Sequence, residues 1–188
     1  MQATFVADSV AVLIRHWYEI GEVDNEHGTR VEIRRVTRPT HIGTESAAQP
    51  VTLDLPLWRA DIFDALDQPP GNLARAHFHP AFDGVEPVAR QWEAELNRDW
   101  RTWLTERLSA LPTTLADGPV QPDPALDCIP IAARIPLILE VAATMLGAHC
   151  DAQAQCLAAT VDTQDAIRMM LDQFRAAGAV DPRLAPLP

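Results

Sequence analysis

The chain has no lysine; all 15 of its basic residues are arginine. That absence excludes Schiff-base lysine chemistry, a lysine general base and a Walker-type phosphate lysine. A glycine-rich phosphate loop is also missing, which leaves the common nucleotide-binding enzyme classes without support. Cysteine is scarce, and Cys128, Cys150 and Cys156 form neither a Cys-x-x-Cys pair nor a complete metal knuckle. They read as reduced structural thiols of a cytoplasmic protein. No Gly-x-Ser-x-Gly elbow frames Ser9, Ser46 or Ser109, and Cys128 beside Asp127 reads as a buried thiol before it reads as a nucleophile. Asp8 and Arg15 interrupt the first apolar stretch, so no signal peptide is expected. Pro130, Arg134, Pro136 and Glu140 break the apolar run from 129 to 146, which fits a buried helix better than a membrane span.

What the chain does have is acid. Twenty-six acidic residues against 15 basic ones give a formal charge of -11, which favours solubility and disfavours attraction to nucleic acid or an anionic membrane. The one short basic cluster, Arg34, Arg35 and Arg38, is diluted by Glu22, Asp24, Glu26 and Glu32. The all-arginine basic set, with abundant Ala, Asp and Pro, reads as the coding bias of a high-GC bacterium. With 47% apolar residues over 188 positions, the chain can bury a substantial core.

Period-two alternation dominates the first half. Val12, Ile14, His16, Tyr18 and Ile20 line one side of a strand, and Val31 and Ile33 alternate with Glu32 and Arg34 in the next. The segment 21–28 between them reads as a turn, making a hairpin. Strands are also expected at 51–55, with an edge or bend at Pro56, at 57–63 and, after Pro69-Pro70-Gly71, at 73–79. The period then changes. Val88, Trp92, Leu96, Trp100, Trp103, Leu104 and Leu108 recur every three or four residues, as one amphipathic helix or two pieces with Asp99 capping the second. Later helices are expected from Pro136 to Gly147, after Asp151 and after Asp162, the last with Ala166, Ile167, Met170, Leu171 and Phe174 inward and Gly178 as terminator.

These signals predict an α+β fold: an N-terminal antiparallel sheet of about five or six strands packed against a Trp-rich helix, then a small C-terminal helical subdomain. The expected divisions are 1–111 for sheet and helix, 112–124 for a linker, 125–180 for the helical subdomain packed on the first part, and 181–188 for a tail.

Clustered chemistry is found at one address. In an extended 73–79, Arg75, His77 and His79 share a side; in 57–63, Arg59 and Asp61 share one. Antiparallel pairing brings these two polar lines together. Two imidazoles with Asp61, or with Asp83 or Glu86 from the following loop, supply a three-ligand Fe, Mn or Zn site, and Arg59 and Arg75 suit a carboxylate or phosphate. His77-Phe78-His79 resembles the opening of the metal motif in the cupin family. The resemblance ends there: Glu86 lies seven residues beyond His79, His41 is upstream, and the only later histidine is His149, in the helical half. No cupin activity is carried over.

The leading expectation is an accessory protein that binds a small anionic ligand through Arg59, Asp61, Arg75, His77 and His79. One alternative is a small metal-dependent enzyme whose divalent transition metal is held by His77, His79 and Glu86. The other is a protein-interaction or structural module, with the acidic surface and last apolar helices serving a partner or a homodimer.

Overall fold

Alternating apolar and polar residues build the sheet. The computed structural model describes residues 1–20, 25–39, 50–65, 71–147, 164–173 and 176. It contains a five-stranded antiparallel sheet in the order β1 (Gln2–Val6), β2 (Val10–Ile20), β3 (Asn25–Thr37), β4 (Thr52–Ala65) and β5 (His77–His79). The fold is α+β, as the sequence predicts. Five strands agree with the predicted number, but their placement differs: β1 was not foreseen, and the segments expected at 51–55 and 57–63 are one continuous strand. Pro56 does mark an irregularity. It lacks an amide hydrogen for the ladder, and the register against β3 shifts on both sides of Arg34, its partner.

One face of the sheet is the core. Val10, Val12, Ile14, Val31, Ile33, Trp58, Ala60, Ile62 and Phe78 are buried in a single apolar cluster. Helices α1 (Ala94–Arg98), α2 (Trp100–Ser109) and α4 (Ile129–Gly147) contribute Leu96, Trp103, Leu104, Leu108, Ile131, Ile135 and Ile138, with a four-residue α3 (Leu111–Thr114) between α2 and α4. Asp99 separates α1 from α2 and caps the latter, accepting from the Thr102 amide at 3.1 Å. Trp103 locks α2 onto the sheet, its ring 5.7 Å from that of Trp58 and 5.3 Å from that of Phe78. Val88 and Trp92 fit the helical spacing but precede the helix, and both are exposed.

The helix expected to start at Pro136 starts seven residues earlier, at Ile129, and Pro136 is interior to it. The amide it lacks would have served the Ala132 carbonyl, and both residues lie on the exposed side of the helix, where water can take the place of that bond. By length and composition Pro124–Gly147 is apolar enough to cross a membrane, and its Ile131, Ile135, Ile138, Ala142 and Met145 line the core described above.

Asp127 ties the start of α4 to the sheet. Its carboxylate accepts from the Ser9 amide at 2.8 Å, the Ser9 hydroxyl at 2.7 Å and the Asp123 amide at 2.9 Å. Burial alone would raise this carboxyl, but the bonds from Ser9, Asp123 and Val10 outweigh burial and hold it below its ordinary value. A carboxyl lowered in the folded state stabilises the fold above its unfolded value, about 4, and loses that contribution as pH falls through the folded value. Asp127→Ala is expected to cost about 2–3 kcal/mol at neutral pH, because the donors of Ser9, Val10 and Asp123 lose a buried, charged acceptor. Urea denaturation would show the gap from wild type narrowing below about pH 4. An unchanged neutral midpoint would mean that the tie contributes nothing.

The chain falls into two compact units, Met1–Ala148 and His149–Pro188. Helix α4 and the stretch 112–124 therefore both belong to the first unit. In the second, residues 164–173 are helical, and Ile167, Met169 and Met170 are exposed. The expected cap residues Asp151 and Asp162, together with Phe174, Gly178, Cys150 and Cys156, lie outside the described residues.

Candidate functional site

The face of the sheet opposite the core carries charge. Strand pairing sets two cross-strand rows there: Arg30, Asp61 and His77 across β3, β4 and β5, and Glu32, Arg59 and His79 beside them. Period two within each strand puts both rows on one face. Burial is nonetheless deep. Arg30, Glu32, Asp61, His77 and His79 are all buried, Asp61 the most deeply.

Asp61 is the hub. Arg30 Nε donates to its Oδ1 at 2.6 Å and Arg59 Nε to its Oδ2 at 2.9 Å. The Nε2 atoms of His77 and His79 lie 3.3 and 3.5 Å from that same Oδ2. Burial would push the Asp61 carboxyl up, yet the charges on Arg30 and Arg59, each of which donates to it, hold it below the usual carboxylate range. Burial also lowers the Arg59 guanidinium, and the Asp61 charge opposes that effect.

Both imidazoles are oriented by backbone carbonyls. His77 Nδ1 lies 2.8 Å from the Arg75 carbonyl, and His79 Nδ1 lies 2.7 Å from that of Ala89. A carbonyl only accepts, so each Nδ1 carries a hydrogen, and in the neutral ring Nε2 presents a lone pair. The Ala89 carbonyl is held in place by the segment after β5, where Gln91 exchanges both backbone hydrogen bonds with Phe78, at 2.9 and 2.8 Å. Arg59 Nη2 reaches His79 Nε2 at 3.0 Å, whereas buried His77 Nε2 has no hydrogen-bond partner. Aromatic rings wall the pair: Phe63 and Trp92 are 6.3 and 6.1 Å from His77, and Phe82 is 6.3 Å from His79.

Two of the expected residues lie elsewhere. Arg75 was expected on the side of His77, but Leu73–Arg75 is a 3-10 turn, and alternation does not apply there. Its side chain instead meets Glu26 at 3.1 Å, and only its carbonyl serves the site. Glu86 lies in a two-stranded hairpin of β6 (Phe82–Asp83) and β7 (Glu86–Pro87). It pairs there with Asp83, and both side chains are exposed. The carboxylate within reach of the imidazoles is Asp61. Among the described residues, Asp61, His77 and His79 form a group whose ligand atoms all lie within 4.8 Å of one another.

The chain matches no family model, no curated protein and no solved structure. Two ligand atoms about 2.1 Å from one ion, at the angles of tetrahedral or octahedral coordination, sit about 3.0–3.5 Å apart. The separations of 3.3 and 3.5 Å from Asp61 Oδ2 meet that requirement.

Sequence reasoning missed Arg30. Its guanidinium lies 3.8 Å from the centre of the Trp17 ring as well as on Asp61. The available signal was its place on the polar side of the Val31–Ile33 alternation. At the other candidate position, burial and the charges of Asp127 and Asp123 push the Cys128 thiol up, away from the thiolate that nucleophilic chemistry requires.

Proposed function

We propose that Asp61, His77 and His79 hold a divalent transition metal and that the protein is a small metal-dependent enzyme. The observation that carries this reading is the convergence of three buried ligand atoms while both Nδ1 hydrogens are taken by backbone carbonyls. Hydrogen bonding at the far nitrogen is how metal-binding imidazoles are commonly aimed, and it raises their basicity as ligands. Two histidines and one carboxylate suit Fe(II), with Mn and Zn close behind, and three protein ligands leave coordination positions for water and a substrate. The buried lone pair of His77 supports the reading further, since a neutral imidazole nitrogen facing a carboxylate oxygen is repelled unless a cation lies between them.

Metal analysis of protein purified without a histidine tag tests the proposal. Stoichiometric transition metal is expected, lost in the His77→Ala/His79→Ala double variant while the far-UV circular dichroism is kept. A folded wild-type protein that carries no metal and takes up neither Fe(II) nor Zn(II) on titration would overturn it. That outcome would leave a second reading, a metal-free pocket for a small anionic ligand, which the two guanidiniums on Asp61 favour.

A further inference from the structure

We propose that Arg59 is the cation a metal ion replaces, and that metal entry is coupled to capture of a small carboxylate by the released guanidinium. The inference rests on the metal reading of Asp61, His77 and His79. One guanidinium engages two of the three ligand groups: Nε donates to Asp61 Oδ2 at 2.9 Å, and Nη2 lies 3.0 Å from His79 Nε2. A metal bound to those atoms needs the His79 lone pair that Arg59 now uses, so the two cations compete for one position.

Arg59 is the arginine that gives way. Arg30 is almost wholly buried, holds the other carboxylate oxygen at 2.6 Å and lies against Trp17. The Arg59 side chain is more exposed than that of Arg30 and borders half-buried Phe82, whose ring centre is 5.7 Å from its Cζ. Leaving Asp61 and His79 moves Arg59 toward this margin.

Charge then requires an anion. A divalent ion brings two positive charges to the site and takes from Arg59 the carboxylate oxygen that it now faces. Glu32, the cross-strand neighbour of Arg59, supplies little relief, because Arg15 and Arg34 take its Oε2 at 2.9 and 2.7 Å. A small carboxylate meets the need. Its planar pair of oxygens matches the fork of a guanidinium, and one oxygen can ligate the ion. Phe82 and exposed Trp92 offer its carbon skeleton an apolar wall.

Co(II) affinity measured by calorimetry, in acetate and in chloride at matched ionic strength, tests the coupling. Acetate is expected to tighten Co(II) binding to the wild-type protein by about fivefold or more. Arg59→Gln should bind Co(II) more tightly than wild type in chloride and lose the acetate effect. Arg59→Lys keeps the charge without the fork, so its acetate effect should also be largely lost; it is the control for general charge and for any folding defect of the glutamine variant. An acetate effect absent from wild type, or surviving in both Arg59 variants, would overturn the coupling and leave the metal centre standing. Wild-type protein that binds no Co(II), or binds it as well as the His77→Ala/His79→Ala variant does, would overturn both.

Discussion

Replacing Asp61 by alanine is expected to cost about 3–5 kcal/mol of stability, enough to unfold much of a marginally stable domain. The loss comes less from the broken bonds than from what remains. Arg30 is 6% exposed and directs Nε at Asp61, so the variant removes the carboxylate that a buried guanidinium is aimed at. Removing both partners should therefore be milder. Arg30→Met combined with Asp61→Ala should recover a large part of the loss, since apolar replacement of a buried ion pair is often close to neutral. Urea denaturation of the single and double variants decides the matter. An Asp61→Ala midpoint indistinguishable from wild type would show that the arginine rearranges to reach water, and the site would then be far looser than its geometry implies.

The second large effect is at Gly28. A Cβ there would lie 2.1 Å from the Ile62 carbonyl oxygen and 2.9 Å from Phe63 Cα. These are backbone atoms of the neighbouring strand, so no rotamer change relieves the clash. Gly28→Ala is expected to cost about 3 kcal/mol or more, the upper end of the overpacking range. Its damage is also directional. Gly28 pairs with Phe63 two positions from the Arg30–Asp61 pair, so prising β3 from β4 should weaken metal binding along with stability. Wild-type stability and metal content in this variant would contradict the close approach of the two strands.

The legible part of the fold was whatever depends on period. Alternation placed Arg59 with Asp61 and His77 with His79, and helical spacing with a capping aspartate located the break at Asp99. What failed depended on where a period stops. Arg75 was assigned a side by carrying the strand back to residue 73, but Gly71 turns the chain at φ 87° and Asn72 then caps a 3-10 turn. Gly28 looked like part of a turn and lies inside the β3 ladder, where glycine is needed because another backbone comes close. For Arg30, alternation supplied the side of the strand but not the partner. Its meeting with Asp61 is a register between strands that are distant in sequence, and no local pattern sets that. Glu86 was considered because it lay nearby in sequence; the sheet brings Asp61 nearer in space.

The Phe78–Gln91 bridge has a consequence beyond orienting His79. A terminal strand ordinarily offers its free amide and carbonyl groups to any passing chain, which is how sheets grow into aggregates. With only three residues in β5, Phe78 is the one whose backbone groups point away from β4, and Gln91 takes both of them. The rim of the sheet is thus sealed by the same two hydrogen bonds that hold the Ala89 carbonyl against an imidazole. Loosening that segment would disorient His79 and expose a sticky border in one event, so disorder at the imidazole and self-association should arrive together.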